Sequence, residues 1–496
     1  MMKLLLGPIL GHTTHESACI WAHTNFEAAG GRSLAIEMFR DAAAGDPIPG
    51  SPFPLQTRTD RGNTGTANIP LPEPGRRYYY RVTFQGACLH PEIPLYSFIA
   101  PPAPSERLNR IVFAFASCHN PPKSGLDRAT RLWRALYAEM VRADARFLIL
   151  MGDQVYADEP KDGNVWKQAL AVSGSEAQRR EQRLSLYRGL YRRYWDHADF
   201  RRVMASFPTY MIWDDHEIVN GWGSEEEHRQ AAQQEVFAAA RQVYDEFQQS
   251  HNPPPLVPGG RHYAFRVGPA AFLVLDLRGH REVWTPQLLG DTQKDSIETY
   301  LAGLESDVSV LFVVSSVPLF HLTRRFACIP LTSDITDQWS SPPYKADRKW
   351  LLARLFAWMG AGGERQVFVL GGDVHVGTVG EAVRLNTGQR LVQVTSSPIT
   401  NKPARCLDIG LSLVSHRFTI HLDDAKQDPV EACISRRYPQ RNFALGTIDL
   451  AADPARPVVR FEMHWEGKKN PDPYPGGNPS GPILTAAGGA DRGWMR

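Results

Sequence analysis

No two cysteines lie close together in this chain. The six (Cys19, Cys88, Cys118, Cys328, Cys406 and Cys433) are scattered and form no CxxC pair. That excludes a disulfide scaffold and suits thiols that stay free or bind metal in a reducing compartment. An excess of one charge is missing too. A net charge of +2 over 496 residues gives no field that would select nucleic acid or an anionic membrane. No stretch approaches the ~20 consecutive apolar residues of a membrane span. The opening MMKLLLGPILGHTTHE, interrupted by Gly7 and Pro8, is too short in its apolar part for a secretion signal; it reads as a first β-strand. There is no internal repeat. A cytoplasmic globular protein is expected, and at 43% apolar residues it can bury a core without staples.

The length points to more than one domain. Residues 1–104 carry short alternating runs, such as SACIWAHT (17–24), SLAIEMF (33–39) and RRYYYRVTF (76–84), separated by Gly, Pro and Asn clusters; this is the pattern of a small β-sandwich. APPAPSERLN (100–109) reads as a linker. From 105 to 467 uniformly apolar runs recur, as expected for strands covered on both faces. Between the first two, residues Leu132, Trp133, Leu136, Tyr137, Met140 and Val141 share one helical face, which makes a β-α-β unit and an α/β layered enzyme. Residues 160–205 and 224–250 read as polar helical insertions, and 468–496 as a Gly/Pro-rich tail.

The chemistry sits where the apolar runs stop: Ser117-Cys118, Asp153, Asp214-Asp215-His216, Asp276 and Asp373. In α/β sheets, ligands bind outside the carboxyl ends of the strands. Clustered carboxylates, imidazole and thiol would be costly to bury together unless cations compensate them. GDQVYAD (152–158) places Asp153 to bridge two metals and Tyr156 to reach one of them. WDDHE (213–217) packs Asp214, Asp215 and His216 side by side, while Glu217 points elsewhere in an extended chain. GGDVHVG (371–377) sets Asp373 and His375 two apart, facing the same way if extended. Taken singly, each has a plainer reading. A lone Asp after a strand serves as a helix N-cap, a Tyr as a half-buried aromatic, and a free Cys as an inert core residue.

In this order and spacing the motifs resemble the alkaline phosphatase D (PhoD-like) metallophosphatases, over about residues 5–465. The resemblance implies a calcineurin-like α/β/β/α sandwich preceded by a fibronectin III-like domain, and hydrolysis of phosphomonoesters and phosphodiesters. It implies that Cys118, Asp153, Tyr156 and Asp373 hold an iron, and that Asp215, Asn220 and His375 belong to a neighbouring metal or phosphate site; the strand-end reading puts Asp214 on that side as well. DQWSSPPYKADR (337–348) resembles a family segment near that site. Thiolate and phenolate favour Fe3+, and the oxygen-rich side favours Ca2+, with Mn2+, Mg2+ or Zn2+ as alternatives.

On this reading His216 protonates the leaving oxygen or holds a phosphate oxygen. Arg278, and then Arg281, would fork a phosphate; the competing role for Arg278 is a structural ion pair. The partner is a small phosphate ester. Two other functions compete. A nuclease or nucleotide phosphodiesterase would use the segment 179–203, where eight arginines interleave with Tyr187, Tyr191, Tyr194 and Trp195. A non-catalytic scaffold would have lost some ligands, whereas this set is complete. Neither the substrate nor the oligomeric state is written in the sequence.

Overall fold

The computed structural model describes residues 2–28, 34–106, 108–279, 281, 287–321, 338–362, 364–403, 417–451, 453, 456–466 and 484–486. Cys328, Cys406 and Asp337 fall outside them.

The first hundred residues form two antiparallel sheets. One joins Leu4–Thr13, Ser17–Thr24 and Thr64–Pro70; the other is built around Leu34–Phe39, Arg77–Phe84 and Tyr96–Ile99. Strand alternation sends Tyr78, Tyr80 and Val82 inward, where they meet Ile20, Ile36, Met38 and Ile69. The other face of the first sheet is buried as well. Trp21 packs on Trp195 and Phe247, with ring centroids 6.4 and 5.4 Å away, and the Tyr80 hydroxyl donates to the Ala205 carbonyl at 2.7 Å. This β region is therefore braced against the helices of the inserted segment.

Two larger sheets follow. A six-stranded sheet contains the parallel strands Arg110–Ala116, Phe147–Met151 and Thr209–Ile212, and an eight-stranded sheet contains Ala270–Val274, Val310–Ser315, Gln366–Gly371 and Arg390–Thr395. Successive residues of the eight-stranded sheet face opposite ways. Phe272, Phe312 and Phe368 meet Phe113 and Phe461 of the other sheet, at 4.6–5.5 Å between neighbouring centroids. Leu273, Leu311, Val313, Val367 and Val369 face helices Asp291–Gly303 and Lys345–Gly360. The apolar runs are uniform because both faces are covered.

The helix expected after the first central strand spans Leu126–Arg142. Its Leu132, Trp133, Leu136 and Met140 are buried, but Val141 is 56% exposed; it lies at the edge of the apolar stripe. The insertions are helical as expected, at Val165–Leu170, Glu176–Trp195, Ala198–Ser206 and Ala231–Phe247. In Glu176–Trp195 the aromatics Tyr187, Tyr191, Tyr194 and Trp195 are buried. Arg183, Arg188 and Arg193 pair with Glu235, Glu246 and Asp162. This helix offers no aromatic face on which bases could stack.

Two features were not foreseen. Residues 417–465 supply four strands, one of which, Asn442–Asp449, lies antiparallel beside Arg110–Ala116 in the middle of the six-stranded sheet. Part of the expected tail, Leu484–Ala486, pairs with Val459–Phe461, since an open sheet edge takes up a short extended segment. Among the described residues, no helix is long and apolar enough to cross a membrane.

Candidate metal centre

Four strand-end loops meet at one edge of the two-sheet core. The Cys118 N–H donates to the Gly152 carbonyl at 3.2 Å, His119 to the Asp153 carbonyl at 2.7 Å, and Gly372 to the Ser316 carbonyl at 2.9 Å. Glycine makes this convergence feasible at two points. A Cβ on Gly152, whose φ is +92°, would lie 2.5 Å from the Asp214 Cβ, and one on Gly372 would lie 2.7 Å from the Met151 carbonyl oxygen.

Four side chains at this junction sit on left-handed backbone: Cys118 (φ 61°), Asp153 (58°), Asp373 (63°) and His375 (54°). Such conformations cost of order 1 kcal/mol each in non-glycine residues and cluster at functional sites. They aim the side chains inward. The Cys118 Sγ lies 3.4 Å from Asp153 Oδ2, which also accepts the Tyr156 hydroxyl at 2.9 Å. The Tyr156 oxygen is 3.3 Å from the Nε2 of His375.

Among the described residues, three groups could each hold a cation, with donor atoms mutually within 4.8 Å: Cys118, Asp153 and His375; Asp153, Asp215 and His216; Asp214, Asp215 and Asp373. Asp153 belongs to the first two and Asp215 to the last two, so the groups form one chain. The expected division put Asp373 with Cys118 and Asp153, and His375 on the other side. In the candidate groups His375 falls with Cys118 and Asp153, and Asp373 with Asp214 and Asp215. Because both residues are left-handed rather than extended, two-residue spacing no longer puts them on one face.

The electrostatics fit cations. Among the described residues, buried Asp153 Oδ1 has no partner. Burial pushes the Asp153 carboxyl, the Cys118 thiol and the Tyr156 phenol well above their ordinary values, with neighbouring acids adding to each shift. Burial and then the His216 charge hold His375 down at about 3, as the neutral imidazole a metal takes. Asp215 behaves differently. Burial works against its charge, but Arg278, His216 and the Gly221 N–H outweigh it and keep it at about 2. A buried donor set of this kind gains when cations replace the missing protons.

His216 stacks on Tyr156, with ring centroids 4.2 Å apart, and its Nδ1 meets Asp158 Oδ1 at 2.7 Å. Burial alone would lower this imidazole; Asp158, Asp215 and Asp153 more than reverse that and raise it. Asp158 also accepts the Asn220 N–H at 3.2 Å, which brings half-buried Asn220 to the same rim. Arg278 is fully buried, and its Nε pairs with Asp214 Oδ1 while its Nη2 lies 3.7 Å from Asp215 Oδ1. These contacts are those of a structural ion pair. Asp276 accepts the Trp213 indole N–H at 2.7 Å and the Gly279 N–H at 2.8 Å, a turn-holding role away from the cluster.

Some residues escaped the sequence reading. Asp158 stood inside a quoted motif without a role. Ser397 and Asn401 follow the strand Arg390–Thr395, and the same strand-end rule would have found them. The Ser397 hydroxyl is 3.1 Å from the Cys118 Sγ and accepts the His375 N–H at 3.0 Å, and Asn401 Nδ2 lies 3.0 Å from His375 Nε2. Gln338 donates to Asp373 Oδ2 at 2.9 Å. Glu217, set aside because it would point away, turns back within a tight 3-10 turn and accepts the backbone N–H groups of Asp153, Gln154 and Asp214.

A family model described as PhoD-like phosphatase matches residues 113–408, more than half of the chain. The chain belongs to the PhoD-like phosphatase family. Alkaline phosphatase D of Bacillus subtilis (strain 168) is 29% identical over 226 residues, covering 42% of this PhoD-like chain and 34% of the relative. The matched part therefore spans about a third of that relative's length. A solved structure titled "Structure of PhoD" superposes with a TM-score of 0.67 at 18% identity, over 93% of this chain and 86% of that one, so the two share a fold. A dimetal phosphatase from Danio rerio, at 11% identity and a TM-score of 0.34 over 72% of this chain and 96% of its own, is too remote to compare further.

Proposed function

We propose that this protein is a metal-dependent hydrolase of phosphate esters, acting on monoesters and diesters. The observation that carries the reading is Asp153: it stands with Cys118 and His375 in one candidate cation group, and among the described residues one of its buried oxygens has no partner. Cys118, Asp153, Tyr156 and His375 would hold one ion, Fe3+ by the softness of the donors. Asp214, Asp215 and Asp373, with Asn220 at the rim, would hold a harder ion such as Ca2+; Mn2+, Mg2+ and Zn2+ are the alternatives. Cations held there would supply Lewis-acid chemistry toward a phosphate ester and lower the pKa of water.

The chain's own groups do the rest. His216, kept protonated by Asp158, donates its Nε2 proton to the leaving alkoxide or to a phosphoryl oxygen. Arg278 keeps Asp214 and Asp215 ionised from behind. Ser397 and Asn401 fix the orientation of His375, and Glu217 sets the spacing of the Asp153 and Asp214 loops. Residues 1–104 are proposed as a fibronectin III-like brace, supported by the packing of Trp21 and Tyr80 on the inserted helices.

The test is Asp153→Asn, with bound metal measured by elemental analysis and turnover measured on p-nitrophenyl phosphate and bis(p-nitrophenyl) phosphate. Loss of stoichiometric metal together with both activities is expected. Full metal content with wild-type turnover would sink the assignment.

A further inference from the structure

The arginine-rich stretch 179–203 does more than pack its own helix. Arg180 and Arg183, on Glu176–Trp195, line a groove against helix Ala231–Phe247. On that second helix Glu235, Ala238, Gln242 and Asp245 are three or four residues apart, so they share the facing side. The loop through Gly259 to Arg261 forms the third wall. The cavity measures about 550 Å³, a size that holds a small molecule. None of the candidate metal ligands lines it.

The lining is charged where small-molecule sites are mostly apolar, so this groove selects by charge. Four arginines, Arg180, Arg183, Arg241 and Arg261, stand against three acids. Two of the acids are engaged. Glu235 pairs with buried Arg183 at 2.5 Å, and Asp245 takes both prongs of Arg261 at 2.6 and 2.9 Å. The third, Glu176, lies in the first turn of its helix, where a carboxylate answers the positive helix end. Among the described residues, Arg180 bonds an amide oxygen, that of Gln242 at 2.5 Å, rather than an acid. Arg241 lies over the Phe237 ring at 5.5 Å, and no acid among the described residues bonds to it. Its guanidinium is held below its ordinary value, first by partial burial and then by the Arg261 charge; Asp245 and Asp276 offset only part of this. The groove therefore has a net positive charge, with one arginine on each helix not neutralised by an acid.

A guanidinium presents two parallel N–H groups, which match the paired oxygens of a phosphate or carboxylate. We propose that this groove is a second small-molecule site, and that Arg180 and Arg241 hold the phosphate or carboxylate group of its ligand. The site goes beyond the hydrolytic reading and stands without it. It touches the same core as the metal centre: Arg261 lies over the Trp213 ring at 5.5 Å, and Trp213 leads directly into Asp214.

The test is calorimetric titration of the holoenzyme with phenylphosphonate, whose C–P bond is not an ester, and with benzoate. Phenylphosphonate should bind twice, once at the metal centre and once in the groove. Arg180→Gln and Arg241→Gln should each weaken one of these bindings about tenfold, the worth of one charge-assisted contact, and leave the other unchanged. Both side chains are exposed, so neither change should disturb folding, and turnover on p-nitrophenyl phosphate should stay at the wild-type level. A loss seen with phenylphosphonate alone makes the ligand a phosphate; a loss seen with benzoate alone makes it a carboxylate. If the protein hydrolyses nothing and binds phenylphosphonate only once, the phosphoesterase reading falls, but loss of that binding in the two variants still supports the groove. Affinities for both probes that are equal in the wild type and both variants would overturn the proposal. So would an equal loss in Arg354→Gln, an exposed arginine of helix Lys345–Gly360 outside the groove, because net charge alone would then explain the effect.

Discussion

The carboxylate of Glu217 accepts the backbone N–H of Asp153 at 3.0 Å. The same oxygen takes the Asp214 N–H at 2.9 Å, and the other takes the Gln154 N–H at 2.7 Å and the Gln248 amide at 3.1 Å. One buried side chain thus fixes the spacing of two loops that carry candidate ligands. In Glu217→Gln an amide NH2 must face N–H donors wherever it turns. The fold should lose about 2–4 kcal/mol, and metal occupancy should fall with it. Denaturant titration and elemental analysis check this; a stable variant with full metal would mean that the loops hold their own spacing.

Asp158→Asn tests the proton-donating role of His216. Without the carboxylate at Nδ1, burial regains the upper hand and the imidazole loses its proton at lower pH. The alkaline limb of the kcat profile should move to lower pH, with kcat down about 10²-fold. Metal content should stay at the wild-type level. An unmoved limb would remove His216 from the chemistry.

The metal-free protein should lose stability as pH rises. Burial lifts Glu217 to about 7, against the N–H groups of Asp214, Gln154 and Gln248 that favour its carboxylate. An acid raised in the fold contributes stability below its unfolded value near 4.5, and that contribution is lost as pH climbs through about 7. Asp153 is raised too, so its contribution has the same sign. Asp215, held at about 2, contributes in the opposite sense, but only below about pH 4. The expected loss between pH 5 and 8 is on the order of 3 kcal/mol. Rebinding metal should reverse it with release of protons, measured by calorimetry in buffers of different ionisation enthalpy. A flat stability profile would contradict this account.

Trp21→Ala probes the brace. The Trp21 indole donates to the Glu246 carbonyl at 2.9 Å. Its ring packs on Trp195, whose own indole reaches the Gln154 carbonyl at 3.3 Å. Emptying this contact should cost about 3–5 kcal/mol and weaken metal retention at a site on the other side of Trp195. Lower Tm with unchanged metal affinity would confine the effect to folding.

The strand ends were legible because an apolar run covered on both faces stops abruptly at a polar side chain, as Phe147–Met151 does before Asp153, and the structure brings these strand ends together. The candidate group that each residue joins was not. That depends on φ at Asp373 and His375, which residue identity does not announce. Glu217 was misjudged for a similar reason, since a single tight turn reverses its direction. The aromatics of Glu176–Trp195 showed their helical spacing plainly, yet only packing against the N-terminal sheet and Phe247 decides that they face inward.

The four left-handed positions carry a consequence for anyone who would harden this protein. Glycine would relax the backbone at Cys118, Asp153, Asp373 and His375, and at Asp153 it would also remove a buried carboxylate that lacks a full set of partners. Each such change should make the empty fold sturdier while dismantling its cation sites. At these four places durability and activity pull against each other, so selecting variants for heat resistance alone would erode the centre first.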